Sequence, residues 1–215
     1  MSDFVSEQLE VDDNFEAVQG LYLERGWTDG LPVVPPTLER VADMLAATPM
    51  QPQDIIGEIP PNWGSATVEK LAVNAVMAGC RPEYFPVLIA SVEAICDEAF
   101  NLYAIQATTH PCAPLIIVNG PICEELGMHG GSGAFGPGWQ PNATIGRALR
   151  LVQLNVGGAS PGVGDMSTQG APSKYTYCVA ENEEANPWES LSIERGFRSD
   201  QNTVTVMAGL SLIHI

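Results

Sequence analysis

Positive charge is scarce in this 215-residue chain: nine lysines and arginines face 26 acidic residues, and Lys70 and Lys174 are its only lysines. A formal charge of −17 repels nucleic acid and anionic lipid, because such a surface has no basic patch to release counterions. Scarcity also makes each arginine informative, since an anionic ligand would draw on very few positive groups. Long apolar runs are missing as well, and none approaches the roughly 18 residues that span a bilayer. The start, MSDFVSEQLEVDDNFE, lacks the basic and apolar segments of a signal peptide, so cytoplasmic residence is the expectation. The five cysteines, Cys80, Cys96, Cys112, Cys123 and Cys178, are odd in number and form no CxxC pair. That argues against a disulfide framework and a zinc knuckle, and favours buried apolar thiols.

What is present is a globular composition: 45% hydrophobic residues and a mean hydropathy of +0.05. Residues 1–12 read as a loose acidic lead-in, and 13–209 as a single domain. Apolar spacing at Phe15, Val18, Leu21 and Tyr22 predicts a helix over 13–25, stopped by Gly26. WTDGLPVVPPT (27–37) reads as a turn and an extended path, and Thr37 as the cap of a helix over 38–47. A short strand is expected over 54–59, then a helix over 66–78 capped by Ser65 and ended by Gly79. Another helix begins at Pro82 and runs to about residue 97. Both of these helices are apolar on nearly every side and therefore read as buried. Strands are expected at 102–108, 115–118, 175–180 and 203–207, with a short helix at 122–126. Helices precede strands with no regular βαβ spacing. The fold class is therefore α/β or α+β, a mixed sheet packed with mostly buried helices.

Twelve of the 21 glycines fall between Gly127 and Gly170, on either side of one helix predicted from Asn142 to about Val156. A glycine-rich loop that runs into a helix start is a common anion site and an equally common plain loop. In the first reading Asn142 caps the helix and Arg147 leans back toward the loop. Gly131, Ser132, Gly133, Asn142, Thr144 and Arg147 then bind a phosphate or carboxylate. In the second, the arginines pair with the abundant carboxylates. His129, at the head of the loop, is an acid–base candidate or a surface histidine. Thr109-His110-Pro111-Cys112 lies between two expected strands. His110 there is a second acid–base candidate and Cys112 a candidate nucleophile, against the alternative of a buried thiol beside a packed histidine. Asp29, Glu181, Glu183 and Glu184 are candidate bases or ligands, against the favoured reading as turn or solvated acids. No cofactor motif is recognisable: the loop fits neither GxxxxGK[ST] nor a GxGxxG after a strand.

The last six residues, Leu210 to Ile215, can be written CTG TCT CTT ATA CAC ATC, the start of a widely used transposase sequencing adapter. Residues 210–215 are therefore expected to be adapter translation, with the native chain running on past Gly209. With His214 set aside, His110 and His129 are too few for a multi-histidine metal site.

Three stretches carry a resemblance: GWTDGLPVVPPT (26–37), VEKLAVNAVMAGCRPEYFPVLIASVEA (68–94), and GSGAFGPG (131–138) followed by NATIGRALRL (142–151). They resemble prokaryotic proteins associated with the UGSC family of thiol or selenol proteins. The name-giving Cys-Gly-Ser-Cys motif is absent, so the resemblance implies a redox centre on another portion or another chain. Two functional expectations follow. One is an enzyme or enzyme subunit that binds a small anionic metabolite at the glycine-rich loop, with thiol-linked redox or lyase chemistry. Convergence of His110, Cys112, His129 and Arg147 in one cleft would mark it. The other is a non-catalytic subunit that docks a thiol or selenol partner through an exposed apolar patch around Phe135 and Trp139.

Overall fold

The computed structural model describes residues 4–210. Residues 211–215, most of the adapter-like tail including His214, lie outside them; Leu210 pairs with Cys112 at the end of the last strand. The fold is α+β, with two small sheets and a helical layer.

Local chemistry sets most helix boundaries. Helix α1, Phe15–Arg25, starts where the Asn14 side chain accepts the Ala17 N–H at 2.8 Å, and stops at Gly26 in the left-handed conformation. Helix α2, Leu38–Leu45, is capped by Thr37. The hairpin β1, Ile55–Ile59, with β2, Gly64–Thr67, changes the next start. Ser65 and Ala66 pair with β1, so Thr67 rather than Ser65 caps helix α3, Val68–Ala78. A short 3-10 turn at Pro82–Tyr84 leads into helix α4, Phe85–Cys96.

The stretch expected as a strand at 102–108 is instead helix α5, Leu102–Ala107. Asn101 takes a left-handed conformation and its side chain accepts the Ala104 N–H, which is a helix start. Leu102, Ile105 and Gln106 are buried at helical spacing. Then follow strand β3, Cys112–Asn119, helix α6, Ile122–Leu126, and helix α7, Gln140–Asn155. Strand β4, Cys178–Ala180, is shorter than the 175–180 expected; helix α8 is Leu191–Glu194, and strand β5 is Thr203–Leu210.

The second sheet has the order β4-β3-β5 and is mixed: β3 runs parallel to β4 and antiparallel to β5. Its two faces differ. Ile116 and Val118 of β3 are fully buried against the α3, α4 and α7 layer, with Cys178, Val204 and Val206 on the same side. Leu115 and Ile117 face the other way and are half-buried. The glycine-rich segments lie on either side of α7, as expected. The start of the chain is less loose than its composition implies. Glu69, 1% exposed on α3, accepts the Ser6 N–H at 2.7 Å, the Val5 N–H at 3.2 Å and the Gln53 amide at 2.7 Å. Burial alone would raise its pKa, but these donors outweigh burial and hold the carboxyl below its ordinary value. Among the described residues, no helix is long and apolar enough to cross a membrane.

Candidate functional site

Helix α7 organises everything the glycine-rich stretch builds, though not through the cap expected at its start. The helix begins at Gln140 with Pro141 in its first turn, and Asn142 sits inside it, 4% exposed. The Asn142 side chain works as a brace. Its oxygen accepts the His129 N–H at 3.0 Å, and its amide donates to the carbonyls of His129 at 2.8 Å and Ala134 at 3.2 Å. Thr144 donates back to the Gln140 carbonyl at 2.8 Å, and its hydroxyl faces the Cys80 thiol. Arg147 is not free for a ligand. Its guanidinium grips Asp29 in a two-point pair, at 2.8 and 2.9 Å, and donates to the carbonyls of Leu31 and Pro32. The WTDGLP turn is thereby fastened to α7. Burial pushes Asp29 up, yet the Arg147 hydrogen bonds and charge, with the Leu31 N–H, bring it below the ordinary carboxylate range.

His129, Gly131 and Gly133 do come together, on the outer face of the second sheet. There the loop covers Leu115, Ile117 and Val179 and leaves a groove of about 510 Å³, also lined by Phe135. The loop is laid close on β4: a Cβ on Gly130 would collide with the Ala180 carbonyl. Ser132 is exposed, and its carbonyl takes a hydrogen bond from His129 Nε2 at 2.9 Å. A carbonyl only accepts, so Nε2 carries a proton. The ring stacks on Trp139, with centroids 3.9 Å apart. This groove is apolar apart from Glu181, which three donors already hold.

His110 and Cys112 lie elsewhere, where chain enters β3. His110 is exposed, its Nδ1 3.3 Å from the Thr108 hydroxyl. Cys112 lines a small polar cavity with Arg150, Gln153, Ser173, Lys174 and Tyr177. The four residues expected to converge are therefore divided: His129 at the groove, Arg147 on Asp29, and Cys112 at the polar cavity, with His110 exposed beside its strand.

The positive charge expected at Arg147 is found instead at Arg150 and Lys174. Both reach a single carboxylate, Asp165, which is 3% exposed: Arg150 at 3.2 Å, and Lys174 at 2.8 Å to one oxygen and 3.0 Å to the other. Arg150 also donates to the Ala159 carbonyl at 3.0 Å. Burial draws the Arg150 pKa down, while Asp165 and Asp29 draw it back up. Three of the nine basic residues, Arg147, Arg150 and Lys174, thus share two carboxylates, Asp29 and Asp165. This leaves one positive charge in excess, in a protein whose net charge is −17. Beside it the buried Ser173 hydroxyl has no hydrogen-bond partner. The Cys112 thiol is raised by burial, with Lys174 acting against that rise. The cavity, at about 10 Å³, has room for one water-sized atom.

Sequence reasoning missed Arg150, Asp165, Ser173 and Lys174 as a group. One signal was available, since Lys174 is one of only two lysines and lies just past the glycine-rich stretch. Among the described residues no three His, Cys, Asp or Glu side chains are grouped to hold a metal. No protein-family model, curated protein or solved structure matches the chain.

Proposed function

We propose that this chain binds a small anion, placing one of its oxygens in the polar cavity between Arg150, Lys174 and Ser173, against the Cys112 thiol. The observation that carries this reading is the imbalance of two largely enclosed cations, Arg150 and Lys174, over the single carboxylate of Asp165, beside an unpartnered hydroxyl. A carboxylate or phosphate oxygen there supplies the missing acceptor and the missing negative charge at once. Any chemistry at this site falls to Cys112, its one thiol. The test is alkylation of the intact chain with iodoacetamide, read cysteine by cysteine by mass spectrometry. Inorganic phosphate or acetate is expected to slow labelling of Cys112 while leaving Cys96 and Cys123 unchanged, and Lys174→Gln to abolish that protection. Labelling of Cys112 that is indifferent to either anion overturns the reading.

A second reading, a subunit that docks a thiol or selenol partner protein, is supported by the exposure of Phe135 at the groove and of Trp139 on the His129 ring. It predicts that Phe135→Ser weakens association with a partner carrying a Cys-Gly-Ser-Cys segment, as measured by sedimentation. Undiminished association would count against it.

A further inference from the structure

Glu181 and Glu183 take no part in the anion site, yet they meet at the end of the second sheet. Asn119, the last residue of β3, is 0% exposed and aims its amide at both of them. Its Nδ2 donates to Glu181 at 2.5 Å and to Glu183 at 2.9 Å. The remaining donors are the Asn186 amide and the Leu191 N–H to Glu181, and the Gly120 N–H to Glu183. None of these donors carries charge. Among the described residues, no lysine or arginine pairs with either glutamate.

The other end of the same amide is out of keeping with its burial. Asn119 Oδ1 is enclosed and accepts no hydrogen bond. Thr203 stands directly opposite Asn119 in the β3–β5 ladder, and its enclosed hydroxyl is unpartnered as well. Side chains paired in this way share a face, with Cβ atoms about 5 Å apart. A water would bond either oxygen but would bring no charge to the two carboxylates. A half-turn of the Asn119 amide exchanges its ends and puts Oδ1 among the carboxylate oxygens that Nδ2 now bridges. Three oxygens so placed repel one another unless a cation lies between them. Their spacing of roughly 3 Å is that of neighbouring ligands around an ion bound at about 2.3–2.6 Å. The Thr203 hydroxyl, across the ladder, is an available acceptor for the displaced Nδ2.

We infer that Asn119, Glu181 and Glu183 form a calcium site. The donors are all oxygen, which suits a hard cation, and calcium accepts the irregular geometry that magnesium does not. Glu183 is exposed, so water completes the shell. The ion would fasten the segment after β4 to the end of β3, a structural role separate from the anion site.

The experiment is calorimetric titration of the intact, EDTA-treated and dialysed chain with calcium chloride and with magnesium chloride. Potassium chloride at about 0.15 M screens diffuse attraction to the acidic surface. The variants are Glu183→Gln, Glu184→Gln and Asn119→Asp. Glu183 and Glu184 are both exposed, so the first two changes leave the fold in place, which a melting curve verifies. Wild type is expected to bind one calcium saturably, with a dissociation constant on the order of 10⁻⁴–10⁻³ M, and magnesium more weakly. Glu183→Gln should weaken calcium at least about tenfold, through loss of one of two carboxylates, while Glu184→Gln leaves it unchanged. Asn119→Asp should melt lower than wild type in EDTA and bind calcium more tightly, so that calcium restores its melting temperature. Calcium at about ten times its dissociation constant shifts the folded-to-unfolded ratio roughly elevenfold. Absence of a saturable calcium heat overturns the site. So does equal weakening by Glu183→Gln and Glu184→Gln, because binding is then diffuse. Magnesium bound as tightly as calcium overturns the choice of ion.

Discussion

Replacing Asp29 by asparagine removes one charge from the pair that ties residues 27–32 to helix α7. The change is nearly isosteric, and the asparagine oxygen can still accept the Leu31 N–H that Asp29 accepts at 3.1 Å. The loss is therefore confined to the bond with Arg147. That pair is well buried, with side chains 14% and 5% exposed, and both its hydrogen bonds are shorter than 3.0 Å. Removing one partner of such a pair costs about 3–5 kcal/mol, because the other charge is left buried without compensation. For a chain of this size each kcal/mol moves the melting temperature by about 2–4 °C, so Asp29→Asn should melt roughly 6–20 °C lower. The pH dependence carries a second signature. The folded pKa of Asp29 lies below its unfolded value near 3.8. The carboxylate therefore contributes its full stabilisation above that value, and loses it as pH falls through the folded pKa. The gap between wild type and Asp29→Asn should be widest at neutral pH and narrow below about pH 4. Calorimetry between pH 3 and pH 7 reads both effects. A melting point within 2 °C of wild type at neutral pH, or a gap that does not shrink in acid, refutes the reasoning.

Two further substitutions test how α7 is seated. Gly146→Ala improves helix propensity by about 1 kcal/mol, but its Cβ would strike the Thr176 hydroxyl and approach the Tyr177 nitrogen at 2.7 Å. Overpacking of this kind costs about 1–3 kcal/mol, so a net loss of stability is expected by urea titration. Asn142→Ala leaves the half-buried His129 N–H without its acceptor and removes the donor to two carbonyls. A loss of about 2–4 kcal/mol is expected, with increased proteolysis in the 129–136 loop.

The elements that could be read from the sequence were those decided by neighbours in the chain. Gly26 and Gly79 stop their helices, Thr37 caps, and the apolar run at 115–118 lies at the centre of the sheet. The misread elements were decided by partners far away or by a weak local signal. Ser65 is a sound cap until residues 64–67 find β1. Leu102–Ala107 looks β-prone by composition, but Asn101 starts a helix there. Asn142 has the residue type of a cap, yet its side chain is spent on His129 and Ala134. The candidate site was half legible. A scarcity of positive charge made the basic residues worth following, and Cys112 was singled out. The choice between Arg147 and Arg150 depended on Asp29, 118 positions before Arg147, and on Asp165. No periodicity within α7 encodes those pairings.

Strand β5 has only β3 beside it among the described residues, and its eight residues, TVTVMAGL, include no charge and no proline. Such an edge is a template for intermolecular pairing. Nothing on the strand itself guards it, so the guard is collective: each molecule carries seventeen excess negative charges and repels its own kind before two edges can meet. That protection has a range set by the solvent, about 10 Å at 0.1 M salt and about 3 Å at 1 M. The acidity of this protein is thus a colloidal property as much as a surface composition, strongest in dilute buffer and weakest in brine or near the isoelectric point.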